Sequence, residues 1–221
     1  MQIAQFTFNP FQENTYVLYD ESGECLIVDP GMSEGDEEKI LFDFIGEQNL
    51  KPILVVNTHC HIDHILGNES ACRKFDVGLA IHKLDLPMLE RAHVASQMWG
   101  ISYRESPAPS RFLEEGEELR FGNTILKVLF TPGHAPGHIV LISELDKSII
   151  AGDVLFRGSV GRVDLPLCNA SDLVHSIQQK MYRLPDDYVV YPGHGPETTI
   201  GEEKSHNAFV RADWQGLVQE V

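Results

Sequence analysis

Seven side chains suited to metal binding are concentrated in four short segments of the sequence. The densest segment is THCHIDH at 58–64, which follows an apolar run. His59 and His61 are two positions apart, so an extended backbone directs both imidazoles to the same side. Asp63 and His64 follow as the chain turns into a predicted helix, so they can reach a neighbouring point from another direction. Because imidazole and carboxylate are the ligands that Zn²⁺ and similar first-row ions favour, we predict a metal site here rather than a solvated polar loop.

Three further segments each end a predicted strand with a glycine turn that presents one more potential ligand. They end at His134 (TPGH), Asp153 (AGD) and His194 (YPGH). Glycine lets the backbone approach a crowded centre or adopt a positive φ. One such turn is weak evidence, because a histidine after a turn is common on protein surfaces. Together with the first segment, the three turns predict a centre that uses all seven side chains.

The overall composition limits the classes of function. The 221 residues have a hydrophobic fraction of 43% and a charged fraction of 23%, which is typical of a soluble globular protein. The formal net charge of −16 speaks against nucleic acid and an anionic membrane as partners, because both require basic protein surface. The charge says little about the substrate itself. We expect a small molecule, and the sequence does not indicate an oligomeric state.

Three further features concern location. No apolar run approaches the roughly 20 residues that span a bilayer. The N-terminal segment lacks the basic and apolar regions of a secretory signal. The four cysteines are scattered without a CxxC pair, as expected for reduced thiols. We therefore predict a cytoplasmic protein.

Hydrophobic periodicity predicts the elements that position the four segments. Strands are predicted over residues 3–8, 15–19, 25–28, 52–57, 78–81, 118–121, 124–130, 139–142, 148–151 and 188–191. Helices are predicted over 37–48, 63–75, 85–98, 171–184 and 203–218, with Asn169 as the N-cap of the fourth. An irregular loop is expected over 100–111. This order indicates a sheet-rich α/β protein, and we expect two sheets packed face to face with helices outside.

The motifs THCHIDH, TPGHAPGH, AGD and YPGHG together resemble the metallo-β-lactamase superfamily, and within it the glyoxalase II (hydroxyacylglutathione hydrolase) branch. FQENTY at 11–16, VDPG at 28–31, LFRGSVGRVD at 155–164 and ETTIG at 197–201 extend the likeness over nearly the whole chain. The resemblance implies an α/β fold in the form of a four-layer αββα sandwich, with two mixed sheets and outer helices. It also implies one hydrolase domain over 1–221, without the C-terminal helical extension of full-length glyoxalase II.

By this resemblance the seven ligands divide between two divalent metal ions per chain. One ion is expected at His59, His61 and His134 and the other at Asp63, His64 and His194, with Asp153 bridging both. Zn²⁺ is the expected metal, and Fe and Mn stay open as alternatives. Hydroxide formed from water at the metal pair is expected to attack a thioester or related acyl carbonyl, so no serine or cysteine nucleophile is required. Asp63 and Asp153 are the expected catalytic residues, and Cys60 is expected to pack rather than react.

Four more residues are assigned around this centre. Asp29 is expected to orient a ligand imidazole through its second nitrogen, with a turn cap as the alternative. His138 is expected to lie beside the ligands or to be a satisfied core histidine, and a ligand role is the alternative. Arg162, on the loop after Asp153, and Lys204 are the expected substrate contacts. A surface salt bridge is the alternative for Arg162.

Two departures from glyoxalase II leave the substrate open. Gly195 and Pro196 stand where the family presents an aromatic residue after the last metal histidine, and only 27 residues (221 − 194) follow His194. The alternatives are a persulfide dioxygenase with a single iron, and a lactonase, phosphodiesterase or nuclease on the same scaffold. The dioxygenase branch tends to carry cysteine at the position of His138, which favours the hydrolase. The acidic charge speaks against a nuclease.

Overall fold

The computed structural model describes residues 1–211, which form two compact units. The first unit consists of Met1–Leu113 with Leu119–Ile125, and the second of Glu114–Glu118 with the described residues from Leu126 onward. The single domain over 1–221 stays a prediction. Within 1–211, no helix is long and apolar enough to cross a membrane.

The first unit is built on a six-stranded mixed sheet. In sheet order, its strands are β1 (Gln2–Phe8), β2 (Glu13–Tyr19), β3 (Glu24–Val28), β4 (Lys51–Val56), β5 (Gly78–Ile81) and β6 (Arg111–Phe112). The pairs from β1 to β3 are antiparallel, and the pairs from β3 to β6 are parallel. Val28 and Val56, the last residues of β3 and β4, are partners in this register. Because parallel strands end at the same edge of a sheet, the segments that follow β3 and β4 come together there.

Five helices accompany this sheet. They are α1 (Gly35–Glu47), α2 (Ile62–Ile65), α3 (Asn68–Phe75), α4 (Leu86–Glu90) and α5 (Ala92–Trp99). In α1, Leu41 and Ile45 are four positions apart and lie on one face, where they join the same core as Ile27 and Val55 of the sheet. Full burial of such a side chain stabilises the fold by about 1.5–3 kcal/mol. This packing fixes α1 against the sheet.

Two predicted helices are interrupted, so their predicted continuity is wrong. The segment 63–75 forms α2 and α3, which are separated at Gly67. Gly67 N–H donates to Pro30 O at 2.7 Å, and a Cβ at this position would lie 2.7 Å from Met32 Cε. The backbone of Gly67 therefore pairs with the turn after β3, and the helix is interrupted at this residue. The segment 85–98 is divided at Arg91, whose φ of −104° and ψ of 9° separate α4 from α5.

Eight further strands follow along the chain. They are β7 (Glu118–Phe121), β8 (Thr124–Phe130), β9 (Ile139–Ser143), β10 (Ser148–Gly152), β11 (Leu155–Phe156), β12 (Ser159–Val160), β13 (Val189–Pro192) and β14 (Thr198–Thr199). Six of them form a second mixed sheet in the order β14-β13-β10-β9-β8-β7, and β11 and β12 form a separate antiparallel hairpin. The chain passes between the two units between residues 113 and 114, 118 and 119, and 125 and 126.

The strands β10 and β13 end at the same edge of the second sheet. They are parallel, and Gly152 is paired with Pro192 in their register. Gly193 N–H then donates to Gly152 O at 2.8 Å, which extends the pairing by one bond. Asp153 follows the end of β10 directly and His194 follows the end of β13 after Gly193, so the sheet brings them together.

Two helices belong to the second unit, α6 (Ala170–Gln179) and α7 (Ile200–His206). The predicted N-cap of α6 is confirmed, because Asn169 Oδ1 accepts the N–H groups of Ser171 and Asp172 at 3.0 and 3.2 Å. The predicted helix over 171–184 is too long, since Met181–Arg183 forms a 3-10 turn instead. The predicted terminal helix over 203–218 overlaps α7 but is wrong over 207–211, because α7 ends at His206 and Asn207 Oδ1 accepts the N–H groups of Phe209 and Val210 in a turn. Its part over 212–218 lies outside the described residues.

Asp20 ties two turns of the first unit together. Its Oδ1 accepts hydrogen bonds from the N–H and the hydroxyl of Ser22 at 2.9 and 2.5 Å. Its Oδ2 accepts hydrogen bonds from Asn123 N–H and the Thr124 hydroxyl, both at 2.8 Å. Burial opposes ionisation of this carboxyl, but the hydrogen bonds outweigh burial and lower the pKa of Asp20 from 3.8 to about 2. Ionised Asp20 therefore stabilises the folded state.

We expect Asp20→Asn to lower the free energy of unfolding by about 1–3 kcal/mol near neutral pH, because the amide turns a donor toward groups that are themselves donors. The folded-state pKa of Asp20 is below the unfolded value of 3.8, so its stabilisation is complete above that value and is lost as the pH falls through about 2. Urea unfolding of both proteins should give a stability difference that is constant above about pH 4 and shrinks below it. The exposed Asp164 is the control. Its ion pair with Arg162 also lowers its pKa to about 2, but water screens this exposed pair, so Asp164→Asn should change stability little. An equal loss in the control would contradict the assignment.

Candidate metal centre

The ligand segment of the first unit leaves the sheet at the end of β4. Val56 is fully buried, and Asn57 N–H continues the strand pairing by donating to a carbonyl of β5 at 3.0 Å. The chain then runs without regular structure to His61, which is extended (φ −67°, ψ 152°) immediately before α2. Asp63 and His64 lie on α2. The sharp change from strand to helix lets residues of one short segment approach a point from two directions.

The four predicted ligands of this unit lie close together. The ring centroid of His59 is 4.8 Å from that of His61 and 4.1 Å from that of His64. His64 Nε2 is 3.7 Å from Asp63 Oδ2. His59 and His64 are buried, whereas His61 and Asp63 are partly exposed. Three imidazoles and one carboxylate at these distances form a donor set that suits first-row divalent ions.

Asp29 orients this segment from the end of β3. Its backbone is in the left-handed region (φ +49°), which aspartate tolerates better than most residues. Its Oδ1 accepts Thr58 N–H at 2.7 Å, and its Oδ2 accepts the Thr58 hydroxyl at 2.6 Å and lies 3.2 Å from His64 Nδ1. Because a carboxylate only accepts, the proton of neutral His64 is on Nδ1 and the lone pair of Nε2 is available. The structure thus places Asp29 where the sequence analysis expected it, and its role toward a bound metal stays a prediction.

Thr58 fixes the tautomer of His59 by the same reasoning. The Thr58 hydroxyl has one proton, which it donates to Asp29. At 3.1 Å from His59 Nδ1, the hydroxyl oxygen can then only accept, so the proton of His59 is on Nδ1. His59 and His64 therefore offer the same ring nitrogen, Nε2, as a metal ligand.

Glu13 is a fully buried carboxyl group that the sequence analysis did not identify. Its Oε1 lies 3.8 Å from His64 Nδ1, and its Oε2 lies 2.9 Å from the Thr15 hydroxyl. That hydroxyl is also 2.8 Å from Asp29 O and accepts Gly31 N–H at 2.9 Å. Burial raises the pKa of Glu13 well above its usual range. Glu13 therefore packs against the turn after β3. A Cβ on Gly31, in that turn, would lie 2.0 Å from Glu13 Oε2.

An amide pair holds the backbone of α2. Asn57 Nδ2 donates to His64 O at 3.0 Å and to Asn68 Oδ1 at 3.2 Å. Asn68 Nδ2 returns a hydrogen bond to Asn57 Oδ1 at 2.8 Å. Both side chains are fully buried, so their hydrogen bonds are protected from water. This pair fixes the position of His64 relative to the end of β4.

In the second unit, Asp153 lies between two predicted imidazole ligands. Its Oδ2 is 3.4 Å from His134 Nε2 and 3.6 Å from His194 Nε2. The turn before Asp153 is made by Gly152, which has a φ of +47°. One carboxylate oxygen close to two imidazole nitrogens is the arrangement that a shared ligand requires.

A main-chain carbonyl sets the tautomer of His134. Arg162 O lies 2.8 Å from His134 Nδ1, and a carbonyl only accepts, so Nδ1 carries the proton. Neutral His134 therefore directs the lone pair of Nε2 toward Asp153 Oδ2, which also bears lone pairs. Two such atoms at 3.4 Å attract each other only when a cation lies between them, either a metal ion or a proton on Nε2. This geometry fits a bound metal ion.

His138 is fully buried and uses both ring nitrogens within the protein. Its Nε2 accepts Asp153 N–H at 3.0 Å, so Nδ1 carries the proton of the neutral ring and faces the Thr131 hydroxyl at 3.2 Å. His138 therefore holds the backbone of Asp153. Both interpretations of the sequence, a neighbour of the ligands and a satisfied core histidine, describe this position.

Two glycines of this unit stand where a side chain would collide with the backbone. A Cβ on Gly161 would lie 1.9 Å from Asp153 O and 3.0 Å from His134 Nδ1. Gly133, with a φ of +137°, would place a Cβ 2.2 Å from the backbone nitrogen of Leu173. The chain around Asp153 and His134 is therefore packed backbone against backbone.

The predicted substrate contacts are engaged in ion pairs. Arg162 binds Asp164 through two hydrogen bonds, Nε to Oδ1 at 2.7 Å and Nη2 to Oδ2 at 2.8 Å. This pairing raises the pKa of Arg162 and lowers that of Asp164 to about 2. Lys204 Nζ donates to Leu184 O at 3.0 Å and to Asp186 Oδ1 at 2.5 Å. Arg162 thus makes the salt bridge weighed as its alternative, and the substrate-binding roles of Arg162 and Lys204 stay predictions.

Cys60 lies between two predicted ligands but belongs to the hydrophobic core of the first unit. Its N–H donates to Asp85 Oδ2 at 2.8 Å. Burial raises the pKa of the Cys60 thiol well above its usual range, so the thiol is a poor nucleophile. The packing position expected for Cys60 is the one that it occupies.

Comparison with known proteins gives consistent results over nearly the whole chain. The family model described as "Metallo-beta-lactamase superfamily" matches residues 8–194. The probable metallo-hydrolase YqgX of Bacillus subtilis is 35% identical over 212 residues, which are 95% of this chain and 98% of that protein. The hydroxyacylglutathione hydrolase GloC of Haemophilus influenzae is 33% identical over 214 residues, or 96% and 99% of the two chains. Among solved structures, TTHA1623 in a di-iron-bound form has a TM-score of 0.84 at 36% identity and covers 93% of this chain and 98% of its own. The expected fold class, with two mixed sheets and helices, is confirmed.

Proposed function

Because the chain belongs to the metallo-beta-lactamase superfamily, we propose that it is a hydrolase that uses two divalent metal ions to cleave a thioester or a related acyl compound. The observation that carries this proposal is the position of Asp153. Its Oδ2 lies 3.4 and 3.6 Å from the Nε2 atoms of His134 and His194. A carboxylate in this position suits a ligand shared by two cations.

The ligand assignment follows the family resemblance. One ion would be bound by His59, His61 and His134 and the other by Asp63, His64 and His194, with Asp153 shared. The tautomers of three of these histidines support the assignment, because each carries its proton on Nδ1 and offers Nε2. Zn²⁺ is the proposed metal, and the di-iron form of TTHA1623 makes iron the alternative.

The bound metals would supply Lewis acidity and lower the pKa of a water molecule, so that hydroxide is available at neutral pH. Asp63 and Asp153 contribute two negative charges against four positive ones, and the remaining positive charge favours the oxyanion that forms during acyl transfer. The partly exposed carboxylate of Asp63 can accept a hydrogen bond from the attacking water and orient it. Asp29 and His138 keep His64 and Asp153 in place through the hydrogen bonds described above.

Similarity to GloC supports a thioester substrate, since that relative is a hydroxyacylglutathione hydrolase by name. The exposed guanidinium of Arg162 is the proposed contact for an acidic part of the substrate, which would compete with Asp164 for it. Lys204 is the weaker proposal, because two internal acceptors already hold its amine. The four cysteines are free thiols, which supports the proposed cytoplasmic location.

The purified protein is expected to contain about two metal ions per chain, the number that a bimetallic hydrolase requires. Elemental analysis measures this number, and hydrolysis of lactoylglutathione, a simple thioester and a lactone identifies the substrate class. A chelator should abolish hydrolysis, and added Zn²⁺ should restore it. An unchanged circular dichroism spectrum after chelation is the control that the fold has survived.

Two results of this experiment would contradict a thioester substrate. One iron per chain, with oxygen uptake on a glutathione persulfide and no thioester hydrolysis, would indicate the dioxygenase instead. Hydrolysis of the lactone alone would still support the proposed metal centre, but it would show that the substrate is an ester and not a thioester.

A further inference from the structure

Glu203 is a fully buried side chain of the second unit that none of the roles assigned above uses. It lies on α7, and its two carboxylate oxygens accept three hydrogen bonds. Oε1 accepts the Thr198 hydroxyl at 2.6 Å, and Oε2 accepts Gly158 N–H at 2.9 Å and Asn207 Nδ2 at 2.7 Å. All three partners donate, so the position requires a group that only accepts, which suits a carboxylate.

Glu203 and Asn207 together hold the turn of the β11–β12 hairpin. Each strand of this hairpin has only two residues, and so short a pair is not stable by itself. Glu203 holds the N–H of Gly158, and Asn207 Nδ2 donates to Ser159 O at 3.0 Å. Both polar groups of the turn that face α7 are therefore fixed by side chains of that helix and of the residue after it.

The hairpin and the segment that follows it contact two imidazoles of the proposed metal centre. The ring of Phe156, on β11, meets the ring of His194 edge to face, with centroids 6.1 Å apart and an interplanar angle of 83°. Two residues after the end of β12, Arg162 O accepts a hydrogen bond from His134 Nδ1 at 2.8 Å. A displacement of the hairpin would disturb both contacts, and with them the orientation of two proposed ligands.

We infer that Glu203 is a positioning residue for the metal centre, acting through the β11–β12 hairpin on His134 and His194. This inference rests on the proposed function, because it takes these two histidines as metal ligands. Residues that orient a ligand change metal affinity by about 10- to 100-fold when they are removed, which sets the size of the expected effect.

The test compares Glu203→Ala with Glu203→Gln. In the alanine variant, the N–H of Gly158 loses its acceptor, so hydrogen exchange at this amide should accelerate. Zn²⁺ affinity, measured by competition with a chromophoric chelator, should weaken by about 10- to 100-fold. The glutamine variant should retain most of the affinity, because its carbonyl can still accept Gly158 N–H while the Thr198 hydroxyl turns to accept from the amide.

Tyr182→Phe is the matched control for a purely structural effect. The Tyr182 hydroxyl donates to Glu203 O at 3.0 Å and to Val210 O at 2.8 Å, so its removal loosens the same helix without touching the hairpin. We expect this variant to lose stability in urea unfolding but to bind Zn²⁺ with unchanged affinity. Glu202→Ala, at the exposed neighbouring position, controls for the charge lost from α7.

The results separate this inference from the proposed function. Zn²⁺ binding with the expected pattern of variants, but without thioester hydrolysis, would support the positioning role and contradict only the proposed function. Equal weakening of Zn²⁺ affinity by Glu203→Ala and Tyr182→Phe at equal stability loss would overturn the positioning role. So would an affinity of Glu203→Ala within about twofold of the wild type, which is far below the effect of an orienting residue. A wild-type chain that binds no metal would overturn both.

Discussion

Asp153→Ala is expected to abolish hydrolysis while the fold remains. The substitution removes one negative charge and the carboxylate oxygen that lies 3.4 and 3.6 Å from two imidazole nitrogens, so both proposed metal ions lose a ligand at once. The value of kcat/KM should fall by at least roughly 10³-fold, more than the loss of a residue that only orients a ligand. Elemental analysis after dialysis should show less metal per chain. Steady-state kinetics and metal content are measured on the same preparation.

The control for this substitution is Asp187→Ala, which removes a carboxylate from the surface of the same unit. Asp187 pairs with Lys147 at 2.5 Å, and both side chains are more than half exposed. We expect its kinetics and metal content to equal those of the wild type, because exposed pairs contribute little. An Asp153→Ala protein that keeps its full metal content and more than about a tenth of the activity would refute the bridging role.

Gly161→Ala is the second substitution with a large expected effect, although it adds a single methyl group. That group would lie 1.9 Å from Asp153 O, so the backbone must move. The movement separates Arg162 O from His134 Nδ1, now 2.8 Å apart, and releases the tautomer of a proposed ligand. We expect kcat/KM to fall by about 10- to 100-fold and the free energy of unfolding to fall by about 1–3 kcal/mol.

Gly46→Ala is the matched control, since the same methyl group there meets nothing within 4 Å. Gly46 lies in α1, where alanine is favoured over glycine, so stability should rise slightly and activity should not change. Urea unfolding measures the stability of both variants, and steady-state kinetics measure their activity. If Gly161→Ala were as active and as stable as Gly46→Ala, the close packing around Asp153 would have no functional consequence.

The sequence predicted the long elements well, because their apolar periodicity is strong. The ten predicted strands are all present, with ends that differ by a residue or two. Predicted helix ends were less accurate where tertiary contacts decide them. Gly67 interrupts one helix because its N–H binds Pro30 O, a contact between residues 37 positions apart that no local pattern reveals.

The four two-residue strands were not predicted, for a different reason. An alternation of period two cannot be recognised in two residues, so β6, β11, β12 and β14 leave no periodic signal. The hairpin of β11 and β12 is nevertheless the element that supports His134 and His194. Its sequence was noticed only as part of a family motif, without a structural role.

The candidate site was predicted unevenly for a similar reason. Histidines and aspartates at strand ends are conspicuous, so all seven proposed ligands were identified from residue type and spacing. Glu13 was not identified. It is the first residue of β2, in which almost every side chain is buried, and nothing in the neighbouring sequence distinguishes a buried glutamate from an exposed one. Glu203 was missed because its partners, Gly158 and Asn207, come from separate parts of the chain.

Arg162 combines two parts that can change independently of each other. Its carbonyl, which belongs to the main chain, keeps the proton of His134 on Nδ1 whatever side chain stands at this position. Its guanidinium is exposed and is paired with Asp164. Variation at position 162 can therefore change the charge at the proposed substrate contact while His134, a proposed metal ligand, keeps its proton on Nδ1. Substitutions at this position can therefore change substrate recognition, in evolution or in laboratory selection, without changing the proposed metal centre.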